Sequence, residues 1–133
     1  MQSTINKFGP LVGRILLGLI FLLSGLGKIG GFAGTAGWMT SKGLPMAEVL
    51  LAITMVIEIG ASVMIISGFK ARLGAAALFL WMIPVTFVFH NFWSMPAAEQ
   101  QIQMIMFMKN LGLMGGMLYI MTFGSGPMSL DRK

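Results

Sequence analysis

Three charged residues lie inside stretches that otherwise exclude water: Arg14 in GPLVGRILLGL, Glu58 in MVIEIGAS and Lys109 in MIMFMKNLGLMGG. A charge in such a segment costs at least a few kcal/mol unless it is paired or hydrated, so each needs a partner or a ligand. Counted at the helical rise from the edge they share, Arg14 lies at roughly 9 Å, Glu58 at roughly 14 Å and Lys109 at roughly 21 Å. Glu58 thus falls between two cations, within side-chain reach of either. Helical spacing puts Arg14 on one stripe with Gly18, Phe21, Gly25 and Lys28, and Glu58 with Thr54, Ala61 and Ser62. Lys109 shares a face with Gly112 and Gly116. Small residues let membrane helices approach closely, so all three charges are predicted to point inward as an Arg14–Glu58–Lys109 network of net positive charge.

Two readings of that network stand side by side. In one it fixes helix register, with Arg14 free to snorkel to the surface. In the other it forms a polar pocket whose spare positive charge takes an anionic or carbonyl-bearing ligand. Lys28 and His90, at the outer ends of their segments, and Asn110, close in depth, would line the mouth of that pocket. The plain alternative for His90 is an interfacial histidine.

Other chemistry is narrowed by what the chain contains. It has no cysteine, which removes thiol–disulfide exchange and thiolate-held clusters within the chain. It has one histidine, so bis-histidine haem ligation cannot be completed by a single chain. Fourteen methionines raise copper(I) as a thioether ligand, but methionine is also an adaptable apolar filler, and Met104, Met106 and Met108 spread around a helix. No metal site is assigned. No phosphate loop or nucleophile elbow is visible.

The elements that must position these residues follow from hydropathy. The sequence is 56% hydrophobic and 10% charged, whereas a soluble domain carries about 25% charged residues. Four apolar runs, at about 8–28, 46–67, 71–90 and 102–123, each approach the roughly 20 residues that cross a bilayer. Such unalternating runs satisfy their backbone groups as helices. The expected fold is an all-α membrane protein, one domain over residues 1–133, built as a bundle of four transmembrane helices. Arg14 interrupts the first run, so it reads as a span and not a secretory signal. Residues 30–45 read as a Gly-rich outer loop with Trp38 as an interface anchor, and Pro84 removes one hydrogen bond from the third span and is expected to kink it. Lys7, Arg14, Lys70, Arg72, Arg132 and Lys133 fall on one side against Lys28 and Lys42 on the other, which places both termini in the cytoplasm. The net charge of +5 therefore answers to the bilayer, and no clustered basic face calls for nucleic acid.

The order of motifs is similar to one family. GRILLGLIFLLSGLGKIGGF (13–32), KGLPMAEVLLAITMVIEIGASVMIISGFKARLGAAAL (42–78), FHNFW (89–93), KNLGLMGGMLYI (109–120) and GSGPMSLD (124–131) together resemble the DoxX family of small four-span bacterial membrane proteins. The resemblance implies a multi-pass protein of the bacterial inner membrane. It also implies association with respiratory or oxidative-stress redox proteins, because the family is named for a subunit of a quinone-reducing oxidase. Arg14, Lys28, Glu58, His90, Lys109 and Asn110 match its polar pattern and become candidates for quinone binding or proton relay. On this reading the chain is at most a membrane subunit of a quinone-linked oxidoreductase, with no covalent cofactor, a quinone as ligand, and a soluble or membrane redox partner. The competing readings are a non-catalytic scaffold and a small-solute or copper transport component, which would need a homo-oligomer.

Overall fold

Long apolar runs without alternation fold as helices because only helices satisfy every backbone group within a lipid phase. The computed structural model describes residues 1–131. It contains α1 (Gln2–Gly30), α2 (Phe32–Ser41), α3 (Ala47–Ser67), α4 (Ala71–Phe89), a 3-10 turn at Phe92–Ser94, and α5 (Ala97–Phe123). Four of these, α1, α3, α4 and α5, are long and apolar enough to cross a membrane. They run up, down, up and down. The side where α1 begins and α5 ends is called the terminal side here, and the opposite side is distal.

The observed helices differ from the expected spans in two respects. First, α1 and α5 start about a turn and a half before their apolar cores, at Gln2 and Ala97, because polar residues continue a helix once it leaves the bilayer. Second, the segment read as a loop holds a ten-residue helix, α2. Its Ala36 and Met39 are buried against Ala47 and Leu51 of α3, and that apolar contact outweighs the weak helix propensity of its two glycines. α4 runs through Pro84 as one helix.

Helix–helix approach is set by glycines. A Cβ at Gly18 would stand 2.7 Å from the Ile66 side chain, and one at Gly25 would stand 2.6 Å from Ile59. α1 is therefore seated closely on α3. Across the other face of α3, a Cβ at Gly74 would meet the Ala61 carbonyl oxygen at 3.0 Å, so α4 is seated as closely. A third of α3's apolar stretch is buried, 33%, against 11% for α5: α3 is central and α5 peripheral. α5 packs on α4 and reaches α1 where the Leu17 side chain lies 3.3 Å from a Cβ placed on Gly116. Leu16, Leu23, Val56, Leu80 and Tyr119 remain exposed on the outer surface, where lipid covers them.

The chain after α5 folds back on the terminal side. The Arg14 guanidinium donates to the carbonyl of Ser125, to that of Met128 at 2.7 Å and to that of Pro127 at 3.4 Å. Beyond them the Leu130 and Asp131 amides donate to the Ser67 and Gly68 carbonyls, and the Asp131 carboxylate accepts from the Ala71 amide at the start of α4. Gly68 is required at this junction twice over. Its φ is +75°, and a Cβ there would overlap that of Ser129.

Candidate ligand cavity

Two packed regions leave a space between them. On the terminal side the core gathers Ile65, Leu78 and Met117, among others, and on the distal side it gathers under α2. Between lies a half-open cavity of about 440 Å³. Its walls are apolar and aromatic, with Phe21, Trp38, Trp81 and Phe89, and Ile20 from α1 and Leu113 from α5. Trp38 of α2 stacks on Phe89 at 4.8 Å between ring centroids, so α2 roofs the space. Ile20, Trp38, Pro84, Val88 and Lys109 line it and are exposed, so it is open to the bundle surface.

Few polar groups converge there. The Lys28 ammonium lies 2.8 Å from Glu58 Oε1 and donates to Ser24 Oγ at 2.6 Å. This is a close ion pair, and beyond it Oε1 has no other partner among the described residues. The Glu58 side chain is nine-tenths buried, whereas that of Lys28 is 25% exposed. His90 Nδ1 meets Gln103 Oε1 at 2.8 Å. Facing an amide oxygen, Nδ1 is the donor. Asn110 Nδ2 donates to Thr86 Oγ1 at 3.1 Å, both residues being buried. Lys109 has a weak contact with Met106 Sδ at 3.7 Å on its own helix.

Of the six candidate residues, five line this cavity: Lys28, Glu58, His90, Lys109 and Asn110. The expected Arg14–Glu58–Lys109 network does not form. Arg14 is bound to the chain end, Glu58 pairs with Lys28, and Lys109 stands exposed at the rim. The reason lies in side-chain direction, which counting depths along the axis ignores. Cα–Cβ bonds lean toward a helix's own N-terminus. Arg14 therefore leans to the terminal side, and Glu58, on an antiparallel helix, leans to the distal side, so the two diverge. Lys28 leans back from the distal end into the bundle and meets Glu58. Gly112, expected to carry Lys109 inward, has nothing within 4 Å of a Cβ placed on it. Gly116 receives Leu17 from α1 in its place.

The sequence alone missed the roof, Ser24 and Gln103. Thr86 lay one turn from His90 and was legible as a polar neighbour, and Ser24 sits one turn before Lys28. The role of Gln103 had no signal, since it lies in a run read as the start of a lipid-facing span.

Comparison with known proteins agrees with this architecture. The DoxX family model matches residues 9–91. The inner membrane protein YphA of Escherichia coli is 34% identical over 92% of this chain and 88% of its own length. The inner membrane protein YqjF of the same organism is 35% identical over 98% of this chain and 95% of its own length. The Surfeit locus protein 4 homolog of Schizosaccharomyces pombe is 30% identical over 96% of this chain, which spans 38% of that protein. No solved structure gives a significant match. With four apolar spans and relatives of this kind along nearly its whole length, the chain is a multi-pass inner-membrane protein and belongs to the DoxX family.

Proposed function

We propose that the protein is an accessory membrane subunit of a redox system and holds a quinone-class ligand in the cavity between its helices. The observation that carries this reading is the cavity itself. Its volume of about 440 Å³ falls in the range of ligand pockets, roughly 300–1,000 Å³, and it has their character of apolar walls with a few polar groups. Exposed lining residues within the spans, Ile20, Pro84, Val88 and Lys109, give a ligand dissolved in the bilayer a way in without crossing water. The Lys109 ammonium, without a carboxylate partner among the described residues, is a donor for a ligand carbonyl and a counter-charge for an anion. Glu58 and His90 are the groups able to carry protons. The chain has no cysteine to hold an iron–sulfur cluster, so electrons come from a redox partner, soluble or membrane-bound. The basic residues on the terminal side orient that side to the cytoplasm.

The test is extraction of quinone from protein purified in mild detergent, with quinone reduction measured in membranes carrying Lys109→Ala. Bound quinone, and slower reduction in the variant, is the expected result. No bound quinone with unchanged reduction rejects the reading. The scaffold reading is favoured by one observation, the engagement of both terminal nitrogens of Arg14 by carbonyls of the segment after α5, and the same rejection would select it.

A further inference from the structure

The seam between α3 and α4 is closed at one end and open at the other. Gly74, Trp81, Val85 and Val88 share one face of α4 at helical spacing, and Ala61, Thr54 and Leu50 share one face of α3. Toward the terminal side these faces touch: a Cβ on Gly74 would stand 3.0 Å from the Ala61 carbonyl oxygen and 3.0 Å from the Met64 side chain. Further along the same two faces, Leu50, Thr54, Trp81, Val85 and Val88 all border the cavity. Small residues let two membrane helices approach; where glycine and alanine give way to an indole and branched chains, the helices stand apart. Pro84 and Val88 line this limb of the cavity and are exposed, so it opens to lipid between α3 and α4.

Polarity divides along the same line. Lys28 of α1, its partner Glu58, and Lys109 and Asn110 of α5 bring charge and an amide to the side where α1 faces α5. Ile20 and Lys109 open that side to the bundle surface, and His90 is turned toward α5 by its contact with Gln103. On the limb between α3 and α4 the Thr54 hydroxyl donates back to the Leu50 carbonyl at 2.9 Å. The Trp81 indole N–H is the other polar group that these two faces bring, and Leu50, Val85 and Val88 are apolar. One cavity therefore has a polar limb and an apolar limb, each with its own mouth within the spans.

We infer that the ligand lies across the bundle, its polar ring between α1 and α5 and a long apolar tail leaving between α3 and α4, past Pro84 and Val88. This rests on the quinone-class reading above and names the member of that class as a prenylated quinone, held by its tail as well as its ring. A volume of about 440 Å³ suits a drug-sized molecule, so a long tail has to continue outside the walls. At the α1–α5 mouth it would pass an ammonium, Lys109. At the α3–α4 mouth it passes Pro84 and Val88 and joins the acyl chains of the bilayer directly.

The experiment photolabels the intact protein in detergent with two ubiquinone analogues of one short prenyl tail length. One carries a diazirine on the ring and the other at the end of the tail, and adducts are mapped to residues by mass spectrometry. Specific labelling is that displaced by excess unmodified ubiquinone of the same tail length. The ring probe is expected to mark α1 and α5 around Ile20, Lys109 and Leu113, and the tail probe α3 and α4 around Leu50, Trp81 and Val88. Specific tail labelling on α1 or α5, specific ring labelling on the α3–α4 limb, or tail labelling that ubiquinone does not displace overturns the inference while leaving a quinone site in place. No specific labelling by either probe rejects the quinone-class reading itself. Val88→Trp supplies a second measurement, since it fills the α3–α4 mouth. It is expected to weaken the prenylated analogue about tenfold more than the tail-less ring, both read as competitors of the ring probe. A folded Val88→Trp in which the two change alike also overturns the inference, and the labelling of the unaltered chain decides if that variant does not fold.

Discussion

Arg14 and Lys28 stand on one face of α1, yet the protein neutralises them in opposite ways. Arg14, 2% exposed, is surrounded by the neutral carbonyls of Ser125, Pro127 and Met128. Lys28 faces a full negative charge, Glu58, beside open space. Carbonyl dipoles fix the geometry of a guanidinium and leave its charge unchanged at a closed junction. A carboxylate cancels the ammonium's charge but retains lone pairs that a third molecule can use. The contrast separates an architectural ion from one that belongs to a site.

The largest effect that would break this contrast is expected from Arg14→Met. Three carbonyls lose their donor, and stability in detergent should fall by about 3 kcal/mol, read from thermal or denaturant unfolding. Ligand affinity of the protein that remains folded should not change. A loss of affinity greater than the loss of stability would join the two regions into one. Next in size is Lys28→Met, which leaves Glu58 buried beside no cation. Because Lys28 is partly exposed, the expected loss is about 1–2 kcal/mol, below that of a fully buried pair. The double change Lys28→Met with Glu58→Gln should restore most of that stability. Smallest is Asp131→Ala, which removes a side-chain acceptor from the first amide of α4. A fall of about 1 kcal/mol is expected, with α4 otherwise intact by circular dichroism and binding unchanged.

Much of this was legible in the residues. Hydropathy located four spans, since a lipid phase imposes helices and their length. The small-residue stripes through Gly18 and Gly25 marked the α1–α3 seam, because only small side chains admit the Ile59 and Ile66 contacts. The five lining residues announced themselves as polar groups in apolar runs. Their pairing was not legible, because it depends on which way each side chain leans and on how far α5 stands from α1. α2 was hidden by its glycines, since its stability comes from Leu51 and Phe89, residues distant in sequence. The destination of Arg14 was hidden for the same reason: the tail GSGPMSLD reads as polar and solvated until it is seen to cover a guanidinium.

That tail has a consequence for how the molecule is made. Arg14 and the carbonyls that accept from it are 111 to 114 residues apart in the chain. A protein synthesised from its N-terminus therefore places its first span in the bilayer long before the groups that satisfy that span's arginine exist. Until residues 125–131 arrive, the guanidinium must be served by water or lipid phosphate, and the terminal end of the bundle stays wet. A turn made after α5 thus closes a helix made before α3, α4 and α5, and interruption or premature stopping near residue 124 would leave four inserted helices with an unsealed end.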